Sequence, residues 1–142
     1  MAINTGKVFI GGLAAGVVLN ICDFLSNTYI MADRFKTDLD ALNPALMTNI
    51  MAPSNTVSFV VLDFVYGLLT VFTYAAIRPR FGAGAGTAVK AGLMMWAIGG
   101  ITWYFTVVMG LFSMNFFVMS AMVSLVTMLA ASYVGAMLYK ED

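Results

Sequence analysis

Apolar positions along the chain gather into four long runs, roughly 7–30, 57–77, 87–109 and 114–138, separated by shorter polar or proline-bearing breaks. Each run reaches the length of about 20 mostly apolar residues that a helix needs to cross a bilayer core. The pattern predicts an all-α polytopic membrane protein, four transmembrane helices in one bundle, with residues 1–142 as a single domain. The breaks carry helix punctuation. Pro44 and Pro53 fall in the first, and Arg78-Pro79-Arg80-Phe81-Gly82 closes the second run. Gly82-Ala83-Gly84-Ala85-Gly86 then leads to Thr87, placed to N-cap the third helix. Only a tight turn at 111–113 separates the third and fourth runs.

The first break, 31–56, is the longest. Phe35, Leu39, Leu42, Leu46 and Ile50 follow spacings of three or four, as on one helical face. Asn43-Pro44 interrupts them like an N-cap followed by proline at the first helical position. These positions predict two short amphipathic helices in the first outer loop, lying on the membrane surface as an outer cap over the bundle end. A gating lid is the alternative.

Composition narrows the class. Hydrophobic residues make up 61% of the chain and charged ones 10%, against about 45–50% and about 25% in soluble domains. So little charge excludes a soluble monomer and a disordered chain. With no histidine, bis-histidine haem, catalytic zinc and imidazole acid–base chemistry fall away. The 12 methionines read as apolar filler. Cys22, the single cysteine, can form neither an internal disulfide nor a Cys-x-x-Cys redox motif. The expectation is no cofactor and no metal. Lys7 before the apolar stretch 8–19 resembles the start of a signal peptide, but Asn20-Ile21-Cys22-Asp23-Phe24 offers no small-residue cleavage site. The segment reads as a retained first helix.

Charge sets orientation. Lys7, Arg78, Arg80, Lys90 and Lys140 fall on one side of the four-span scheme, and Arg34 and Lys36 on the other, beside Asp33, Asp38 and Asp40. Five basic residues against two place both termini in the cytoplasm.

Two carboxylates, Asp23 and Asp63, fall inside the spans, where insertion of a charge costs about 2.5–3.5 kcal/mol and marks a candidate functional position. Each lies seven residues from the outer end of its run, so helix rise puts both about 10 Å inside the outer boundary. Asn20, Asp23 and Asn27 line one face, and Asp63 and Tyr66 another. Tyr104, with Thr102, Trp103 and Thr106, and then Ser120 and Ser124 bring the third and fourth helices to the same level. Three readings of this layer stay open. The acids are protonated and hydrogen-bonded to Asn, Tyr and Ser as interhelical glue; or they hold a proton or cation in a watery pocket, since adjacent carboxylates repel when both are ionised; or they meet a partner subunit or head group. An aspartyl intramembrane hydrolase needs more scaffold and flanking motifs than this chain shows.

Gly12 and Gly16 form a Gly-x3-Gly helix-packing motif, and the fourth helix carries a small-residue stripe through Ser120, Ser124, Thr127, Ala131 and Gly135. Thirteen glycines suggest more close-packed faces than one bundle consumes, hence a homo-oligomer or contacts with other membrane subunits. The alternating Gly82, Gly84 and Gly86 lack the Gly-Lys-Ser/Thr and βαβ context of a nucleotide site, so neither nucleotide nor nucleic acid is an expected partner. Arg78, Arg80 and Lys90 fit a lipid head-group site at the bilayer surface.

The segment Gly11-Gly12-Leu13-Ala14-Ala15-Gly16-Val17-Val18-Leu19-Asn20, with an acid three places on, and Tyr74-Ala75-Ala76-Ile77-Arg78-Pro79-Arg80-Phe81-Gly82 resemble a widespread group of small, functionally uncharacterised bacterial four-helix membrane proteins. Asp23 stands where glutamate is more frequent in that group. The resemblance spans nearly the full length and implies a bacterial inner (cytoplasmic) membrane protein, with no activity attached. The leading expectation is a non-enzymatic structural or accessory subunit of a membrane assembly or homo-oligomer. The alternative is a small proton- or cation-coupled transporter using Asp23 and Asp63, similar in size and span count to the small multidrug transporters, which carry an acid in their first helix.

Overall fold

The computed structural model describes residues 3–139, which form six helices. Lys140, counted above among the basic residues of one side, lies outside them. Asn4 opens α1 (Thr5–Tyr29), its side chain accepting from the Lys7 N–H at 3.1 Å. Two short helices follow, α2 (Ala32–Leu42) and α3 (Leu46–Ile50), and then α4 (Pro53–Phe81), α5 (Ala85–Val108) and α6 (Met114–Leu138). Of these, α1, α4, α5 and α6 are long and apolar enough to cross a membrane.

Three boundaries differ from the sequence expectation. Pro53 starts α4 instead of sitting in the loop before it, because an N-terminal helical position needs no backbone N–H. Pro79 falls inside the last turn of α4, and the helix ends only at Gly82, whose φ of 82° reverses the chain. Thr87 does not cap α5. Gly84 holds that place, and the Thr87 hydroxyl donates to the Gly82 carbonyl at 2.7 Å and the Phe81 carbonyl at 3.3 Å. It thereby ties the end of α4 to the start of α5. Asn43 bends the chain before α3, its side chain accepting from the Ala45 N–H at 2.9 Å.

The four long helices form a ring in which α1 packs on α4 and α6, and α5 packs on α6 and α4; α4 and α6 also meet, whereas among the described residues no Cα atoms of α1 and α5 approach within 8 Å. Residues at the packed faces are small: Ala15, Thr70, Ala91, Ala131 and Ser132 are essentially inaccessible. Large apolar side chains such as Phe9, Phe24, Ile101, Phe105 and Val126 point outward. Water would drive the large groups inward; small packed faces with large apolar groups outside are the arrangement expected of helices in lipid.

Gly12 and Gly16 show how tight that packing is. A Cβ on Gly12 would lie 2.7 Å from Leu68 Cα, and one on Gly16 would lie 2.8 Å from Phe64 Cα. Their partner is α4 of the same chain, facing them with Gly67. Gly11 and Gly135 bring α1 and α6 together in the same way. The motif residues proposed for helix packing do pack helices, but within the bundle, so Gly12 and Gly16 present no free face to a second copy. The excess of small faces inferred from the glycine count is consumed internally at these positions.

α2 lies across one end of the ring. Phe35 stacks on Phe112 and Phe116, with centroids 6.0 and 5.6 Å apart, and Leu39 is buried. Asp38 accepts from both the N–H and the hydroxyl of Ser113 at 2.8 Å. Ser113 is the N-cap of α6, so a carboxylate sits at the positive end of that helix. On the open side of α2, Lys36 pairs with Asp40 at 2.6 Å, and that hydrogen bond and charge hold its ammonium above the ordinary lysine range. At the opposite end of the ring the N-terminal segment, the α4–α5 turn and the end of α6 meet. The Asn4 N–H and the Gly84 N–H donate to the hydroxyls of Tyr139 and Tyr74, at 3.2 and 3.1 Å, and the two rings stand edge to face.

Candidate functional site

Because α1 and α5 occupy opposite corners of the ring, the bundle has room between them, and a cavity of about 370 Å³ lies there. Two side-chain-free positions on α5, Gly99 and Gly100, border it; a Cβ on Gly100 would meet nothing within 4 Å. All four long helices contribute. Asp23, Ser26 and Asn27 come from α1, Asp63 and Tyr66 from α4, Trp96 and Trp103 from α5, and Ser120, Ser124 and Thr127 from α6. Asp23 and Asp63, from α1 and α4, line the same chamber.

The hydrogen bonds around this chamber are mostly local to each helix. Asn27 donates to the Asp23 carbonyl at 2.8 Å, and Ser26 to the same carbonyl at 3.2 Å. Ser120 and Ser124 donate to Phe117 and Ala121 carbonyls of their own helix, at 2.9 and 3.2 Å. Thr70, one turn from Tyr66, donates to the Tyr66 carbonyl at 2.7 Å. Short polar side chains in helices favour such local back-bonds. Among the described residues nothing donates to either carboxylate, and no lysine or arginine lines the chamber. The polar layer is therefore not a network that ties the acids to the other helices.

The chamber walls are aromatic. Trp96 is fixed by its indole N–H donating to the Ala121 carbonyl of α6 at 2.9 Å. Trp103 packs on Phe112 and Phe116, with centroids 5.1 and 6.4 Å away, and its buried indole N–H has no partner among the described residues. Phe117 and Tyr66 complete the rings facing the space. The Trp96–Trp103 spacing of seven places both on one face of α5, a periodic signal present in the sequence but outshone there by the hydroxyl residues around it.

Two expected members of the polar cluster lie elsewhere. Asn20 does not line the chamber; its amide donates to the Gly16 carbonyl at 2.9 Å and across to the Val60 carbonyl of α4 at 3.3 Å. Tyr104 is exposed on the outside of α5, edge to face with Phe117 at 5.2 Å. It sits one residue, about 100° of helix rotation, from Trp103, which turns inward in its place. Asp23, Asn27, Asp63, Tyr66, Ser120 and Ser124 do come together.

The basic residues considered for a lipid head group gather around the other end of the bundle. The Arg78 guanidinium stands 5.8 Å from the Tyr139 ring centroid, and Lys90 stands 5.4 Å from that of Phe81. Arg80 is exposed on the last turn of α4. No group of three or more metal-ligating side chains occurs among the described residues. Comparisons of the chain with protein-family models, with curated proteins and with solved structures find no match.

Proposed function

We propose that the chain is an integral membrane protein in which α1, α4, α5 and α6 span the bilayer around a cation- or proton-accepting chamber, and that it acts as a small proton- or cation-coupled transporter. One observation carries this reading. Asp23 and Asp63 face a single cavity of about 370 Å³, and among the described residues no protein hydrogen bond and no basic neighbour satisfies them. Carboxylates placed so are satisfied by water, a proton or a mobile cation, and exchange among those is the elementary step of coupled transport. The other expectation, a structural or accessory subunit, drew on small-residue faces, and Gly12 and Gly16 spend theirs inside the chain.

Proteoliposomes with a pH-sensitive dye inside test the proposal. An inward gradient of Na⁺, K⁺ or tetramethylammonium drives protons out through the wild-type protein, so the interior turns alkaline. Asp23→Asn and Asp63→Asn lose the response while eluting in detergent as the wild type does. A wild-type protein that answers none of these gradients overturns the transporter reading in favour of the structural one. On the proposed topology, in a bacterial inner membrane as the resemblance implies, the α2 end faces outward and Lys7, Arg78, Arg80 and Lys90 face the cytoplasm and the lipid phosphates there.

A further inference from the structure

Resting on that reading, we infer that the chamber takes a compact organic cation, an ammonium group carrying an apolar body, rather than a bare metal ion. One feature of the wall points to this class, its surplus of aromatic surface. The oxygen set does not choose between cations: Asn27, Ser120, Ser124 and Thr127 stand beside the two carboxylates and Tyr66, and a hydroxyl that donates to a carbonyl keeps its lone pairs. Tyr66, Trp96, Trp103 and Phe117 border the same space as the two acids. Rings attract an alkylammonium through their electron-rich faces and cover its apolar body, and the attraction grows where water is excluded. Indole, the ring best suited to this, occurs twice in the chain, and both copies are here.

The volume agrees. Ligand cavities run from about 300 to about 1,000 Å³, so about 370 Å³ admits a molecule of one ring and a few alkyl groups. The ammonium lies between Asp23 and Asp63, and the body rests against the tryptophans and Phe117. Thr127 and Met128 also line the space.

Both tryptophans of the protein line the chamber, so its fluorescence reports occupancy without a label. The purified full chain in mild detergent is titrated with benzyltrimethylammonium, with its neutral carbon isostere neopentylbenzene, and with NaCl and MgCl₂. The expected result is a saturable change with benzyltrimethylammonium alone. Asp63→Asn, an isosteric change, weakens that binding by at least about tenfold, as expected when one charge of a close pair is lost. Trp103→Phe keeps binding detectable through Trp96, and an unchanged helical circular-dichroism spectrum shows that each variant is folded. Equal binding of neopentylbenzene makes the chamber a plain apolar pocket and overturns the inference. Saturation by Na⁺ or Mg²⁺ with no response to benzyltrimethylammonium overturns the organic class and leaves the coupled-transporter reading standing. No saturable response to any of them, together with silent proteoliposomes, removes both.

Discussion

Replacing Gly16 by alanine separates a motif used inside the chain from one used between chains. The added Cβ would lie 2.8 Å from Phe64 Cα, and at Gly12 the corresponding distance to Leu68 Cα is 2.7 Å. Ordinary carbon contacts begin at 3.4 Å, so α1 and α4 must part by about 0.7 Å at the Gly12 crossing. Side-chain atoms of Leu68 and Phe64 also obstruct, but the backbone Cα atoms cannot swing away as a side-chain tip can. Overpacking of this kind costs about 1–3 kcal/mol, partly offset by the roughly 0.8–1.0 kcal/mol that alanine gains over glycine in a helix. The net expectation is a loss of up to about 2 kcal/mol for each site, at about 3 °C of Tm per kcal/mol for this chain length. Gly86→Ala is the internal control, because a Cβ there meets nothing within 4 Å and φ is not positive. Thermal unfolding in detergent, followed with light scattering to fix the oligomeric state, reads both quantities. If Gly12→Ala and Gly16→Ala change the oligomeric state while the unfolding temperature matches that of Gly86→Ala, the intrachain assignment fails.

Three further predictions address the remaining elements. Ser132→Ala removes a fully buried bond to the Ala88 carbonyl of 2.7 Å between α6 and α5, and thermal unfolding should show a loss of about 1 kcal/mol. Asp38→Asn takes the charge off the α6 N-terminus and weakens the clasp on Ser113; at about 1 kcal/mol, amide exchange in α2 should accelerate about fivefold while α5 exchange is unaltered. For topology, Thr5→Cys, Ala41→Cys and Ala83→Cys are made singly in a Cys22→Ser background. An impermeant maleimide applied to intact spheroplasts should label only the cysteine at position 41, and labelling at position 5 or 83 contradicts the orientation.

The four long helices were legible because their signal is length and apolarity, which do not depend on neighbours. Their ends were less so. Pro53 and Pro79 read as breaks, yet proline is at home in the first helical turn and is tolerated in the last, so α4 runs from Pro53 to Phe81. The depth of Asp23 and Asp63 followed from helix rise and direction alone. What the side chains around them bond to did not, since Asn27, Ser120 and Ser124 have a carbonyl of their own helix within reach before any tertiary partner arrives. Rotation about the axis is similarly delicate: Trp103 and Tyr104 exchange inside and outside with one residue's step. The glycines announced a close crossing, and only the packed structure supplies its partner on α4.

That division of labour bears on why two acids sit in the bundle at all. Cohesion comes from glycine and alanine faces and a few interhelical bonds, such as Trp96 to Ala121 and Ser132 to Ala88. Among the described residues none of it runs through Asp23 or Asp63. Insertion of each acid costs about 2.5–3.5 kcal/mol, so the pair costs about as much as the lower part of the 5–15 kcal/mol by which whole domains are stable. Protein hydrogen bonds do not offset that cost, and a chain selected for cohesion alone would be better served by Asn or Leu at both places. On the proposed reading, the offset comes from what enters the chamber. An occupant that binds only the folded chamber stabilises the protein by an amount set by its concentration relative to its dissociation constant, and this makes the ligand titration the measurement on which the functional reading turns.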